Sequence, residues 1–194
     1  MRVPIRNKKS SWDKLFEVAS GQEGLFTAEQ AGAAGLYHQL LRRYVEYGRV
    51  RRIRRGIYRI VHFPPGEHEE LAELWLWSKQ AGVFSHETAL SLHELSDVLP
   101  KRVHLSVPAE WRRRRLRVPR GVVLHHASVR PAERAWIGSV PVTEPGRTLL
   151  DCAQAHLSPE LLAQAFQQAR SRGLVSPDHL SEIAHATGMS QVAG

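Results

Sequence analysis

One cysteine, Cys152, stands in 194 residues. An internal disulfide is excluded, and a reducing compartment fits the composition. No lysine follows Lys101, which removes the carboxylate–lysine set of a nuclease from the C-terminal half of the chain. No HExxH, no paired Cys/His spacing and no GxSxG elbow occurs, so zinc-hydrolase and serine-hydrolase readings lose their usual signals. Gly138-Ser139 lacks the paired carboxylates that a metal-dependent nucleotidyltransferase requires. No apolar stretch approaches the roughly 20 residues that span a bilayer. The opening MRVPIRNKKSSW is basic but leads into no apolar run, so a secretory signal is not expected and a cytoplasmic location is.

Acidic residues are scarce at the front. Between Met1 and Ile60 there are 13 Lys and Arg against 5 Asp and Glu, whereas the remainder holds 14 against 14. The formal net charge of +8 therefore originates in the first third of the chain. A concentrated excess describes a binding face for a polyanion, where a uniform one would serve solubility. With 42% hydrophobic and 24% charged residues, a packed core is expected and disorder is not.

The order of elements in that basic third is informative. Ser10 or Ser11 caps a helix from Trp12, with Leu15, Phe16 and Ala19 at helical spacing and Gly21 as its stop. Thr27 caps a second, short helix, with Gln30 at the capping-box position. A third helix spans about Tyr37 to Tyr47; Leu40, Leu41, Tyr44 and Val45 form its inner stripe, and His38, Gln39, Arg42, Arg43 and Glu46 face outward. The run Val50 to Val61, rich in β-branched residues and turning at Gly56, reads as a hairpin. Pro64-Pro65 within His62–Gly66 reads as a linker.

Beyond it, helices are expected over Glu69–Gln80, His86–Leu95 (capped by Ser85) and Thr143–Ala153, and strands over Val103–Val107 and Val122–His126. Two more helices begin at Ser158-Pro159 and Ser176-Pro177, each pairing a capping serine with proline at the first helical position. The expected fold is α+β: a winged helix-turn-helix over residues 1–64, then a mixed helix/strand domain over 67–194.

Three helices followed by a hairpin is the winged helix-turn-helix order, and the side chains suit DNA. Tyr37, His38, Gln39, Arg42 and Arg43 are positioned to meet base edges and phosphates in a major groove. Arg49, Arg51, Arg52, Arg54, Arg55 and Arg59 crowd the hairpin, cation enough for several phosphates or a minor groove. The competing account is a solvated basic hairpin on a protein-binding domain, and the self-repulsion of that many arginines weighs against it.

Other motifs have blander readings. His86 and His93 lie on one expected helix, and His125 and His126 are adjacent on a strand and face opposite ways, so no metal site and no cofactor is expected. Asp178 with Glu182 suits the first turn of a helix better than catalysis. Cys152 falls mid-helix in an apolar setting. Arg147 and Asp151 are spaced for an intrahelical ion pair. The run Arg112–Arg115 is a solvated loop, a second phosphate contact or a contact for an acidic partner. Trp75, Trp77 and Trp136 fit a core, with Trp77 off the apolar stripe.

The sequence resembles the AbiEi-type antitoxins of bacterial type IV toxin–antitoxin systems. TAEQAGAAGLYHQLLRRYVEYGRVRRIRRGIYRI is similar to their winged-helix segment; GVFSHETALSLHEL, VHLSVP and VPVTEPGRTLLDCA are similar to their C-terminal pattern. The resemblance implies a transcriptional autorepressor that binds double-stranded operator DNA through its N-terminal domain. It also implies a C-terminal domain that counteracts a nucleotidyltransferase-like toxin. The alternative is a stand-alone winged-helix regulator whose C-terminal domain senses a signal or dimerises. Neither reading involves catalysis or a membrane, and both leave the oligomeric state open.

Overall fold

The computed structural model describes residues 9–188; the basic lead-in expected at residues 1–8 lies outside them. The chain divides into two compact units, 1–80 and 81–194.

The first unit opens with helix α1 (Ser11–Ser20), closed at its start by a capping box in which Ser10 and Asp13 exchange side-chain-to-backbone hydrogen bonds. Strand β1 (Leu25–Thr27) leads directly into α2 (Ala28–Ala33), and Thr27 and Gln30 form the expected reciprocal box. Gly35 makes the turn into α3 (His38–Glu46) at φ +93°, and a Cβ there would lie 2.7 Å from Ser11 Oγ. Only glycine satisfies both demands. Strands β2 (Val50–Arg54) and β3 (Ile57–Ile60) form the hairpin, and β1 pairs antiparallel with β3, giving the sheet order β1-β3-β2. Leu15, Phe26, Leu36, Leu41, Val50 and Ile60 close a core under the three helices.

Helix α4 (Glu69–Trp77) belongs to this unit and packs on β1 and β3. The division thus falls after Gln80, later than the expected linker at His62–Gly66. The segment 62–66 is held as well: Arg59 donates hydrogen bonds to the carbonyls of Ile60 and Phe63 and pairs with Glu69.

The second unit is built on a five-stranded sheet of order β6-β5-β4-β8-β7. Its strands are β4 (Val83–Phe84), β5 (Val103–Val107), β6 (Val122–His126), β7 (Arg134–Ile137) and β8 (Val140–Thr143). β5 and β6 occupy the expected residues and run parallel, as do β4 and β8. Helices α5 (His86–Leu92), α6 (Pro145–Gln154), α7 (Pro159–Ser171) and α8 (Pro177–Ala186) bury Leu90, Leu149, Cys152, Leu162, Phe166 and Ile183 together. Serines 158 and 176 cap α7 and α8 as expected.

Thr143 does not begin a helix. It ends β8, and α6 starts at Pro145 behind Glu144, whose carboxylate accepts from the backbone N–H groups of Gly146 and Arg147. Proline at the first helical position forces the residue before it into the extended region, so Glu144 must be the cap. Trp136, expected in the core, is 60% exposed on β7, which forms an edge of the sheet.

Phe84 is fully buried and pairs with Leu105 on one side and Val142 on the other. Replacing Phe84 with alanine is expected to destabilise the protein by about 3–5 kcal/mol, read from urea unfolding.

Candidate nucleic-acid interface

Helix α3 presents the expected outward face. Tyr37 is 74% exposed at its N-cap, and His38, Gln39, Arg42 and Arg43 are all exposed behind it. Tyr37 contributes no side-chain cap, so the first-turn N–H groups carry no side-chain acceptor of this kind. Leu41 anchors the opposite face in the core, with Leu40 and Tyr44 half-buried. Val45, assigned to the inner stripe, is exposed. Arg42 Nε lies 2.9 Å from Glu46 one turn on, and Arg43 rests against the ring of Tyr47. Both contacts are at the surface, so a phosphate or base edge competes with them at little cost.

The six hairpin arginines divide by surroundings. Arg51, Arg52 and Arg55 are exposed and have no carboxylate partner among the described residues. A register shift between Arg52 and Arg54 breaks the alternation of β2, and Gly56 turns the strand at φ +79° beside Arg55. Arg49 lies over the rings of Trp12 and Tyr44, 4.3 and 5.0 Å from their centroids, where it joins α1, α3 and the base of the wing. Arg54 is half-buried with Glu73 at 2.7 Å.

Arg59 corrects the expected site most clearly. Its residue is 7% exposed, its Nε is 2.8 Å from Glu69, and its remaining nitrogens donate to backbone carbonyls. The cause is strand alternation. Arg59 lies on the face of β3 opposite Tyr58 and Ile60, which pack in the core, and α4 covers that outer face from a part of the sequence where no pairing was visible.

In the second unit the segments SHETALSLHEL and VPVTEPGRTLLDCA form one polar framework. His93 Nε2 lies 2.7 Å from the Thr143 carbonyl, and the hydroxyls of Thr143 and Thr148 are 2.8 Å apart. Arg147 reaches both Asp151 at 2.8 Å and Glu133 at 3.0 Å. Hydrogen bonding to Arg130, with Arg147 close by, holds the Glu133 carboxyl down to about 2. Burial raises the Asp151 carboxyl despite Arg147, and Asp151 Oδ2 is buried without a hydrogen-bond partner. The expected intrahelical pair is thus part of a partly buried three-residue cluster. Trp111 is buried beneath the basic loop, while Arg112 to Arg115 are exposed and Arg114 lies over the Trp111 ring.

One grouping went unseen in the sequence. His86, His104 and His125 bring their rings together, and burial with neighbouring imidazoles lowers His86 to about 3 and His125 to about 4. His125 and His126 do face opposite ways; the partners of His125 come from the next strand and from α5.

A helix-turn-helix with a cationic wing defines the class of the first unit as a DNA-binding regulator. Residues 13–61 match the family model described as a transcriptional regulator, AbiEi antitoxin, and residues 80–194 match that of the AbiEi antitoxin C-terminal domain. The chain belongs to the AbiEi antitoxin family. No curated protein matches it. Among solved structures it is similar to the RV2827C protein of Mycobacterium tuberculosis, at 17% identity and a TM-score of 0.49, over 97% of this chain and 79% of that one. No helix among the described residues is long and apolar enough to cross a membrane.

The two kinds of arginine should separate by experiment. Arg59→Ala leaves Glu69 without its partner and is expected to cost on the order of 3 kcal/mol of stability. Arg51→Ala and Arg55→Ala should each change stability by less than about 0.5 kcal/mol. Denaturant titration of the three variants checks both.

Proposed function

We propose that the protein is a cytoplasmic autorepressor and antitoxin: the first unit binds double-stranded operator DNA upstream of its own gene, and the second counteracts a nucleotidyltransferase-like toxin. The observation that carries the DNA half is the uncovered cationic surface shared by α3 and the wing. Gln39, Arg42 and Arg43, with His38 and Tyr37 at the helix start, read base edges from the major groove. Arg51, Arg52 and Arg55 hold phosphates, and Arg49 steadies the wing while keeping its charge at the rim. Arg54 contributes field, being already paired; Arg59 contributes architecture. Family membership supports the antitoxin half, and the resemblance of the C-terminal segments supports a nucleotidyltransferase-like partner.

The alternative, a stand-alone regulator whose second unit senses or dimerises, takes support from the exposed basic loop Arg112–Arg115. The genes adjoining this one discriminate: expression of a neighbouring nucleotidyltransferase should arrest growth, and co-expression of this chain should restore it. Absence of toxicity from every neighbour favours the alternative.

For the DNA half, Arg42→Ala should weaken operator binding by about 1–3 kcal/mol and random DNA by much less, because a base contact discriminates. Arg51→Ala with Arg55→Ala should weaken both DNAs alike and flatten the plot of log affinity against log salt by roughly 0.9 per lost phosphate contact. Salt titrations on the two DNAs measure these effects; an unchanged slope removes the wing from the interface.

A further inference from the structure

Three histidines distant in sequence converge in the second unit. β5 and β6 are parallel with His104 opposite Val123 and Ser106 opposite His125, so His104, Ser106 and His125 share one face of the sheet. β4 runs antiparallel beside β5, and Ser85 follows it directly, delivering His86 at the start of α5 onto that face. His104 Nδ1 lies 3.0 Å from His125 Nε2, and the His86 ring stacks on His125 with centroids 3.6 Å apart. One nitrogen from each ring falls within 4.8 Å of the other two.

The donor set and spacing suit a three-imidazole metal site once ring rotation turns the stacked and mutually hydrogen-bonded nitrogens toward one point. Zinc–nitrogen bonds of about 2.0–2.1 Å in tetrahedral array hold their nitrogens about 3.3 Å apart, close to the His104–His125 separation. Burial lowers all three imidazoles and so favours their neutral form, and the hydrogen bond between His104 Nδ1 and His125 Nε2 is the contact a cation would replace. His86 Nδ1 is 2.9 Å from Ser85 Oγ, which in turn accepts from Ser106 Oγ at 2.8 Å. A hydrogen bond from Nδ1 to that oxygen orients the ring and leaves Nε2 as its donor atom, the usual support of a ligating histidine. His86 also adopts φ +53°, a left-handed conformation that non-glycine residues seldom take and that fixes where its ring projects. No carboxylate belongs to the group, so the donor set disfavours calcium and magnesium and suits a borderline cation. His104 also borders an open cavity of about 450 Å³, and all three histidines are only partly buried.

We propose that His86, His104 and His125 form a binding site for one zinc-class divalent cation, linking β5, β6 and the start of α5 and leaving the fourth position open to water. This assignment is independent of the DNA and antitoxin roles.

The test uses the full-length chain, stripped with chelator and titrated with Co²⁺ and then Zn²⁺. The expected result is one Co²⁺ per chain with visible ligand-field absorption, displaced by one Zn²⁺. His104→Gln and His125→Gln should each lower Zn²⁺ affinity by more than about 100-fold, and Ser85→Ala by about 10–100-fold. His62→Gln and His126→Gln should leave it unchanged. A wild-type chain that takes up no Co²⁺ overturns the site, as does uptake undiminished in both His104→Gln and His125→Gln. Where a variant fails to fold, the wild-type protein decides. Zinc must shift the imidazole NMR resonances of His86, His104 and His125, and shifts confined to other histidines overturn the proposal.

Discussion

A guanidinium stays charged at every pH a protein meets, so a fold that buries one must surround it with acceptors. Each unit of this protein is organised around one such group. Arg59 draws Glu69 and the carbonyls of Ile60 and Phe63 to itself, which bends the segment after the hairpin and fixes where α4 begins. Arg147 gathers Glu133 and Asp151, tying α6 to the turn before β7. The hydrophobic cores supply most of the stabilisation, but these two cations determine which way the connecting segments run.

The same constraint reshapes the charge map. Counted to Ile60, the whole excess sits at the front, but the first unit extends to Gln80 and takes in four glutamates. Over residues 1–80 there are 14 basic against 9 acidic residues, and over 81–194 there are 13 against 10. Glu69 and Glu73 face the buried side of the wing and neutralise Arg59 and Arg54 there. What remains uncovered is a smaller, sharper surface of α3 and the wing tip. The residual excess of the second unit coincides with the exposed run Arg112–Arg115.

Much of this was legible because it was local. The Thr27–Gln30 box, the Gly56 turn and the serine–proline starts of α7 and α8 are each determined within a few residues, and the sequence carried them in full. Strands β1 and β4 were hidden because three and two residues cannot display alternation. β8 was hidden because all four of its residues are buried and do not alternate. Within the site, exposure of α3 followed from its periodicity, whereas the fate of Arg59 depended on an α4 contact made across the fold. The histidine cluster was invisible for the same reason. Its members meet through the parallel register of β5 and β6, which no spacing along the chain encodes.

The strand order of the second sheet bears on how the chain emerges from synthesis. The first unit is compact within residues 1–80, so it can close while the rest is still being made. Central strand β4, by contrast, waits for β8 before its second edge is covered, with about half of the unit translated in between. During that interval the nascent polypeptide carries a finished cationic head and an unpaired Val83–Phe84 edge. Ribosome-bound chains of this protein therefore pass through a stage at which a DNA-binding module precedes any working antitoxin module.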